Sequence, residues 1–284
     1  MPEKKLRLET LLTILDTIAP LSLAESWDNA GLMVGDPDQT VTGILVALDP
    51  TEEVIRDAIS LRLNTIITHH PLLFHPLKKI DRRTPLSRML TTALAHDLAI
   101  VACHTNLDIT AKDSVSDAMA ARLGLENTRP LAGRESPAAA EGAGLGRIGT
   151  LAAPMSAEQF LTGLFSALDC RGLHLAGSLP EMIRTVALCG GSGSELAETA
   201  HALGADVYIT GEVKHSTARW AEAAGFCLID AGHYATEQLI VPALAKRLTS
   251  ACAAAGQTAV ITTCQSQRSP RQWVVLHENK PLFC

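Results

Sequence analysis

The chain has 284 residues, of which 47% are hydrophobic and 19% charged, and its formal net charge is −6. This is ordinary globular composition, long enough for one large domain or two moderate ones, and it excludes a disordered chain. The mild acidity excludes the basic stripe that a phosphate backbone requires, so nucleic acid is not an expected partner.

Met1 to Leu15 places Lys4, Lys5 and Arg7 among leucines at helical spacing, without the continuous apolar stretch of a signal peptide. No run reaches the length of a membrane span, so no membrane partner is expected. Seven cysteines, odd in number and without a CxxC pair, read as small buried hydrophobes kept reduced, and the expected location is cytoplasmic. Residues 25–32, ESWDNAGL, read as a structural loop packed by Trp27.

The chain contains an internal repeat. Residues 46–70 are VALDPTEEVIRDAISLRLNTIITHH and residues 186–212 are VALCGGSGSELAETAHALGADVYITGE. Each has VAL, a turn, a helical pattern and a β-branched run ending in Ile-Thr, the two extra residues of the second copy falling in its glycine turn. Further on, each copy has an apolar run, then a histidine with a carboxylate four residues later: His104 and Asp108, His233 and Glu237. Helical patterns come next, over Ser114–Leu123 and Thr236–Leu248. Thr51 and Glu53 mark the start of a helix over Glu52–Leu61. Short unalternated strands are buried on both faces. The expected fold is therefore α/β, with two similar interlinked lobes and mainly parallel or mixed sheets flanked by helices. The lobes are expected at 1–125 and 126–284, with an irregular connection at about 126–147. Arg147–Leu151 and Ser156–Leu168 read as the strand and helix that open the second lobe. The tail adds two strand-like runs, AVITT and QWVVL, which the first half does not match.

Functional groups of parallel sheets gather at the carboxyl ends of strands. Three such ends carry histidine: His69 and His70 after Thr65–Ile67, His104 after Ala99–Cys103, and His233 after Phe226–Asp230. Consecutive histidines on extended backbone point to opposite sides, so His69 and His70 can serve different ions. The spacing of four puts each His–carboxylate pair on one helix face. Imidazole and carboxylate together suit zinc, manganese, iron or nickel, and a close pair of such ions lowers the pKa of bound water. A lone His-His pair is more often a loop feature, and an H-x3-D/E pair is commoner still. Their equivalent positions in a repeat are what point to a pair of divalent ions between the two lobes. Asp49 and Asp230 read as groups that orient neighbours. Glu212, at the repeat position of His70, reads as an acid at a helix N-terminus, the alternative being a base beside the metal ligands. Gly190-Gly191-Ser192-Gly193 lacks the Lys-Ser/Thr of a P-loop and reads as a tight turn.

The segments ESWDNAGLMVG (25–35), ITHHPLLF (67–74), HTNLD (104–108), ITGEVKH (209–215) and GHYATE (232–237) resemble the NGG-interacting-factor-three-like family. Its bacterial members are labelled GTP cyclohydrolase 1 type 2 homologues or dinuclear metal centre proteins. The resemblance spans about residues 6 to 250. It implies two interlinked α/β lobes, a toroidal homohexamer, and two divalent ions per chain on His69, His70, Asp108, His233 and Glu237, with His104 beside the site. Tyr234 stands where many relatives have a second histidine, and the extra domain of long members has no room here. The implied activity is metal-dependent hydrolysis of a nucleotide-like or other small polar substrate. The alternative is a non-catalytic metal-binding adaptor, chaperone or regulator.

Overall fold

The computed structural model describes residues 5–134, 139–272, 274–277 and 280–283. The chain divides into two compact units, residues 1–110 with 240–267 and residues 111–239 with 268–284.

The first unit opens with α1 (Leu8–Ile18) and β1 (Gly31–Val34), then alternates β2 (Ile44–Ala47), α2 (Glu52–Ser60), β3 (Thr65–Thr68), α3 (Pro85–Ala95) and β4 (Ala99–Ala102), and ends in the one-turn α4 (Thr105–Asp108). It is completed by α10 (Ile240–Ala254) and β11 (Ile261–Thr263). The sheet order is β1-β4-β3-β2-β11, parallel throughout except for β1. Every residue of β2, β3 and β4 is buried, as the unbroken apolar runs require. Leu45, Ala47, Ile66 and Ile100 pack with Val54, Ile55 and Ala58 of α2 and with Leu90 and Ala93 of α3. Helix α10 packs on α1, β2 and β11. Thr51 caps α2 by accepting from the Val54 N–H, as its position predicts.

The second unit contains α5 (Val115–Arg122), β5 (Glu126–Gly133), β6 (Gly144–Ser156), α6 (Ala157–Leu168), β7 (His174–Ala176), β8 (Met182–Leu188), α7 (Ala197–Ala202), β9 (Val207–Thr210), α8 (His215–Ala224), β10 (Cys227–Asp230) and α9 (His233–Glu237), with a hairpin of β12 (Val274–His277) and β13 (Lys280–Phe283). Its sheet order is β5-β6-β8-β9-β10-β7, with β8, β9 and β10 parallel and the others antiparallel. Phe160, Leu164 and Leu168 of α6 and Met119 of α5 cover one face, against Ile183, Val186, Val207, Ile209 and Ile229. Buried Arg147 lies at the hinge of α5 and β6: its guanidinium pairs with Asp117 at 2.5 and 2.9 Å and donates to the Gly144 and Gly146 carbonyls. Asp117 in turn closes the capping box of α5 with Ser114.

The repeat is longer than the sequence showed. The run α1-β1-β2-α2-β3-α3-β4-α4 of the first copy corresponds to α6-β7-β8-α7-β9-α8-β10-α9 of the second, and β1 and β7 both lie antiparallel beside the last strand of their copy. The helices after each copy are exchanged. Helix α5, after the first copy, packs on β6 of the second unit, and α10, after the second copy, packs in the first. The boundary expected at 125/126 is thus replaced by crossings at 110/111, 239/240 and 267/268. The expected connection at 126–147 contains β5 and the start of β6, joined through 134–143, of which 135–138 lie outside the described residues. The single helix expected over Thr236–Leu248 is two, because Pro242 lacks an N–H and suits only a first turn. AVITT contributes β11 and QWVVL contributes to β12; Trp273 and Cys284 lie outside the described residues. Among the described residues no helix is long and apolar enough to cross a membrane. The six described cysteines are free thiols, and burial pushes those of Cys103 and Cys227 up to about 12.

Candidate metal centre

In the first unit, β3 and β4 are paired in register, Thr68 opposite Ala102, so the residues after each strand leave the sheet side by side. His69, His70 and His104 offer ring nitrogens that all lie within 4.8 Å of one another. Each imidazole is held at Nδ1. His69 Nδ1 is 2.8 Å from the Cys103 carbonyl, His70 Nδ1 is 2.7 Å from Asp49 Oδ1, and His104 Nδ1 is 2.7 Å from Asp28 Oδ1. A carbonyl or carboxylate accepts, so Nδ1 is the donating nitrogen of each ring, and in the neutral imidazole Nε2 is then the one that can meet an electrophile. His69 is buried, and its Nε2 lies 3.7 Å from Asp108 Oδ1 across the turn of α4.

The orienting groups are themselves fixed. The Asp28 side chain is fully buried and accepts from the Thr105 N–H at 3.0 Å and the Thr105 hydroxyl at 2.5 Å. Burial raises its pKa, but these bonds and the His104 imidazole prevail and bring it down to about 2. Asp49 sits just past the end of β2. The Gln267 side chain reads the backbone around it, accepting from the Leu48 N–H at 2.5 Å and donating to the Asp49 carbonyl at 3.0 Å.

The second unit builds its set differently. His233 Nδ1 faces Glu212 Oε1 at 3.3 Å and His233 Nε2 faces Glu237 Oε2 at 3.0 Å, one turn on in α9. Glu237 is buried at 5% exposure, which is costly for a carboxylate unless cationic or hydrogen-bonding groups compensate it. The glycine turn makes room for it: Gly191 has φ +65°, and a Cβ there would collide with Glu237 Oε1. At Gly211 a Cβ would come within 2.6 Å of the His233 Cα, so the position that carries His69 in the first copy is closed to any side chain in the second. The turn's own N–H groups are used internally, Gly191 to the Thr236 hydroxyl and Gly193 to the Thr210 hydroxyl, as a tight turn and not an anion cradle requires. Asp230 accepts from the Val213 and Gly232 N–H groups and so ties together the two loops that carry Glu212 and His233.

His104, implied to lie beside the site, has a ring nitrogen within 4.8 Å of those of His69 and His70. Two outcomes differ from the sequence reading. Glu212 is not in a first helical turn, since α8 begins at His215; it lies against His233 and, at 3.3 Å, against Arg271. Asp28 does more than shape a turn, because it holds His104. Asp49 and Asp230 orient neighbours as expected, whereas Gln267 carried no signal: a lone glutamine in a tail has no motif to betray it. The donor chemistry fits a divalent cation in both units, through imidazoles held at Nδ1, a buried carboxylate beside an imidazole, and a backbone cradle that a single methyl would fill.

A duplicated α/β scaffold with imidazole and carboxylate groups suited to a metal ion is the class that fold and site define together. The chain belongs to the Duf34/NIF3 (NGG1p interacting factor 3) family, matching it over residues 6–270. It is 37% identical over 235 residues to a Streptomyces coelicolor protein named GTP cyclohydrolase 1 type 2 homolog, covering 81% of each chain. A Clostridium perfringens protein of the same name is 35% identical, over 82% of this chain and 87% of that one. Among solved structures, a Bacillus cereus protein related to NIF3 superposes with a TM-score of 0.89 at 26% identity, over 96% of this chain and all (100%) of that one. A hypothetical protein of Staphylococcus aureus superposes with a TM-score of 0.88 at 29% identity, over 95% of this chain and 100% of the other.

Proposed function

We propose that His69, His70 and Asp108 of the first unit and His233 and Glu237 of the second together hold two divalent ions, and that the protein is a cytoplasmic metal-dependent hydrolase of a nucleotide-like or other small polar substrate. The observation that carries this reading is the Nδ1 pattern: four histidines after three strands, each with an oxygen acceptor against Nδ1. That arrangement fixes the tautomer and raises the basicity of the other nitrogen. The ions would supply Lewis acidity and activate water for hydrolysis. His104 adds a further nitrogen in the first unit, and Glu212 keeps His233 oriented. Asp28 and Asp49 hold their imidazoles against rotation. The relatives named GTP cyclohydrolase 1 type 2 homolog support a nucleotide as substrate. A ring of six copies is part of the same proposal, and sedimentation gives its mass directly.

The test joins elemental analysis of protein purified without added metal to assays against nucleotides and phosphoesters. Two ions per chain, lost in His70→Ala and Glu237→Ala together with turnover, are the expected result. One ion or none per chain overturns the dinuclear centre. Full metal occupancy with no turnover across the panel overturns the hydrolase and leaves a metal-binding protein.

A further inference from the structure

Trp27 is 59% exposed and Phe74 43% exposed, an unusual display for two of the few aromatic residues of this chain. Their rings are not loose. The Trp27 centroid lies 5.9 Å from that of Phe74 and 6.1 Å from that of His104, edge-on to the imidazole, and Phe74 lies 6.2 Å from His104. The backbone on either side of Trp27 is fastened. The Glu25 N–H donates to the Thr105 hydroxyl, the Asp28 carboxylate holds His104 and Thr105, and the Asn29 amide donates at 2.5 Å to the Leu73 carbonyl, beside Phe74. These polar contacts hold a short loop whose central indole faces water. Fixing a large apolar ring in solvent gains nothing for folding, since its burial is incomplete, but it lowers the ordering cost of a ligand laid on it.

We propose that Trp27, edged by Phe74, is a stacking platform for a planar heteroaromatic ring, the base of a nucleotide whose polar part reaches the His69–His70–His104 cluster. This rests on the reading of that cluster as the reaction site. The chemistry is complementary on both counts. Every base has a π-face that an indole can bind whatever its sequence of donors and acceptors. Exposed Lys78, Lys79 and Arg82, further along the loop that carries Phe74, supply positive charge for a phosphate in an otherwise acidic protein. Arg83 is already paired with Asp81.

The experiment is calorimetric titration of the full chain with guanosine monophosphate and with ribose 5-phosphate, which has the anion but not the base. Each is run on protein as purified and after chelation of metal. Trp27→Ala is expected to weaken guanosine monophosphate about tenfold, the scale of one lost aromatic stack. Trp27→Phe is expected to keep most of the affinity, and ribose 5-phosphate to bind all three proteins alike. Trp27→Ala should retain the metal content of the parent. Unchanged affinity for guanosine monophosphate in Trp27→Ala overturns the platform, as does an equal loss for ribose 5-phosphate or no binding of the nucleotide at millimolar concentration. A Trp27→Ala protein of reduced sedimentation mass and unaltered nucleotide affinity also overturns it and assigns the patch to a second copy of the chain. Protein that holds no metal yet shows the Trp27-dependent difference keeps the platform while the metal reading fails.

Discussion

The two copies of the repeat share a scaffold and differ in what they place at its strand ends. After β3 the first copy has His69 and His70, where the second, after β9, has Gly211 and Glu212. After β4 and β10 both have a histidine and, four residues on, a carboxylate. The first unit therefore gathers three imidazoles, each held by an oxygen acceptor, and the second sets one imidazole between two carboxylates. The cause of the difference is local packing. Gly211 must admit the α9 backbone and Gly191 must admit the Glu237 carboxylate, so side chains are excluded where the first copy has room for them. Duplication supplied equivalent positions, and close approach in one copy decided which could carry a ligand.

The largest effect expected from a single change tests the asymmetry of the cores. Arg147 is the only buried Lys or Arg among the described residues, and the first unit has no counterpart. Arg147→Ala removes one side of a buried pair and strands Asp117 and two carbonyls, which should cost about 3 kcal/mol. Urea unfolding followed by circular dichroism measures it. A loss below about 1 kcal/mol, the value of an exposed pair, would mean that α5 is held to β6 by apolar packing alone.

A smaller effect bears on the imidazole-rich set. Gln267 acts on His70 only through Asp49, so it positions and does not ligate. Direct outer partners of metal-bound histidine are worth 10- to 100-fold in affinity, and one step further out Gln267→Ala should weaken metal binding by roughly three- to tenfold. Gln267→Glu keeps the acceptor for the Leu48 N–H and should recover part of that loss. The readouts are competition titration and the absorption spectrum of the cobalt-loaded protein. Identical spectra and affinities for parent and Gln267→Ala break the link from tail to site.

Legibility in the sequence divides the same way, between pattern and contact. Buried parallel strands were legible because they are unbroken apolar runs, and the repeat was legible from Val46 and Val186 onward because both copies keep VAL and a terminal Ile-Thr. Its earlier part was not: β1 and β7 are short edge strands, and little in GLMV or HLA marks their equivalence. The candidate ligands stood out as histidines and acids at strand ends. Their supports did not, since Asp28, Glu212 and Gln267 reach their targets through loops whose course no periodicity encodes. The exchange of α5 and α10 was invisible for a like reason: neither helix carries a signal for its partner sheet, and only packing tells which one it covers.

The smallest effect separates the two equivalent helices that come after VAL. Helix α2 begins at Thr51, whose hydroxyl accepts from Val54, whereas α7 begins after a 3-10 turn at Leu196 with no side-chain cap. Thr51→Ala should therefore cost about 1 kcal/mol, a change that has no equivalent in the second copy. Part of the difference depends on pH. Glu53 is held below its usual pKa first by its own backbone N–H and next by the Thr51 hydroxyl. A lowered carboxylate stabilises the folded state above its ordinary value, here 4.5, and that contribution fades as pH falls through the lowered one. The gap between parent and Thr51→Ala should thus be widest near neutrality and narrow in acid, while the Glu53 titration seen by NMR moves up toward 4.5 in the variant. A gap that stays constant down to acid pH would leave the Val54 N–H as the whole of what Thr51 contributes, and a Glu53 titration that does not move would say the same from the other side.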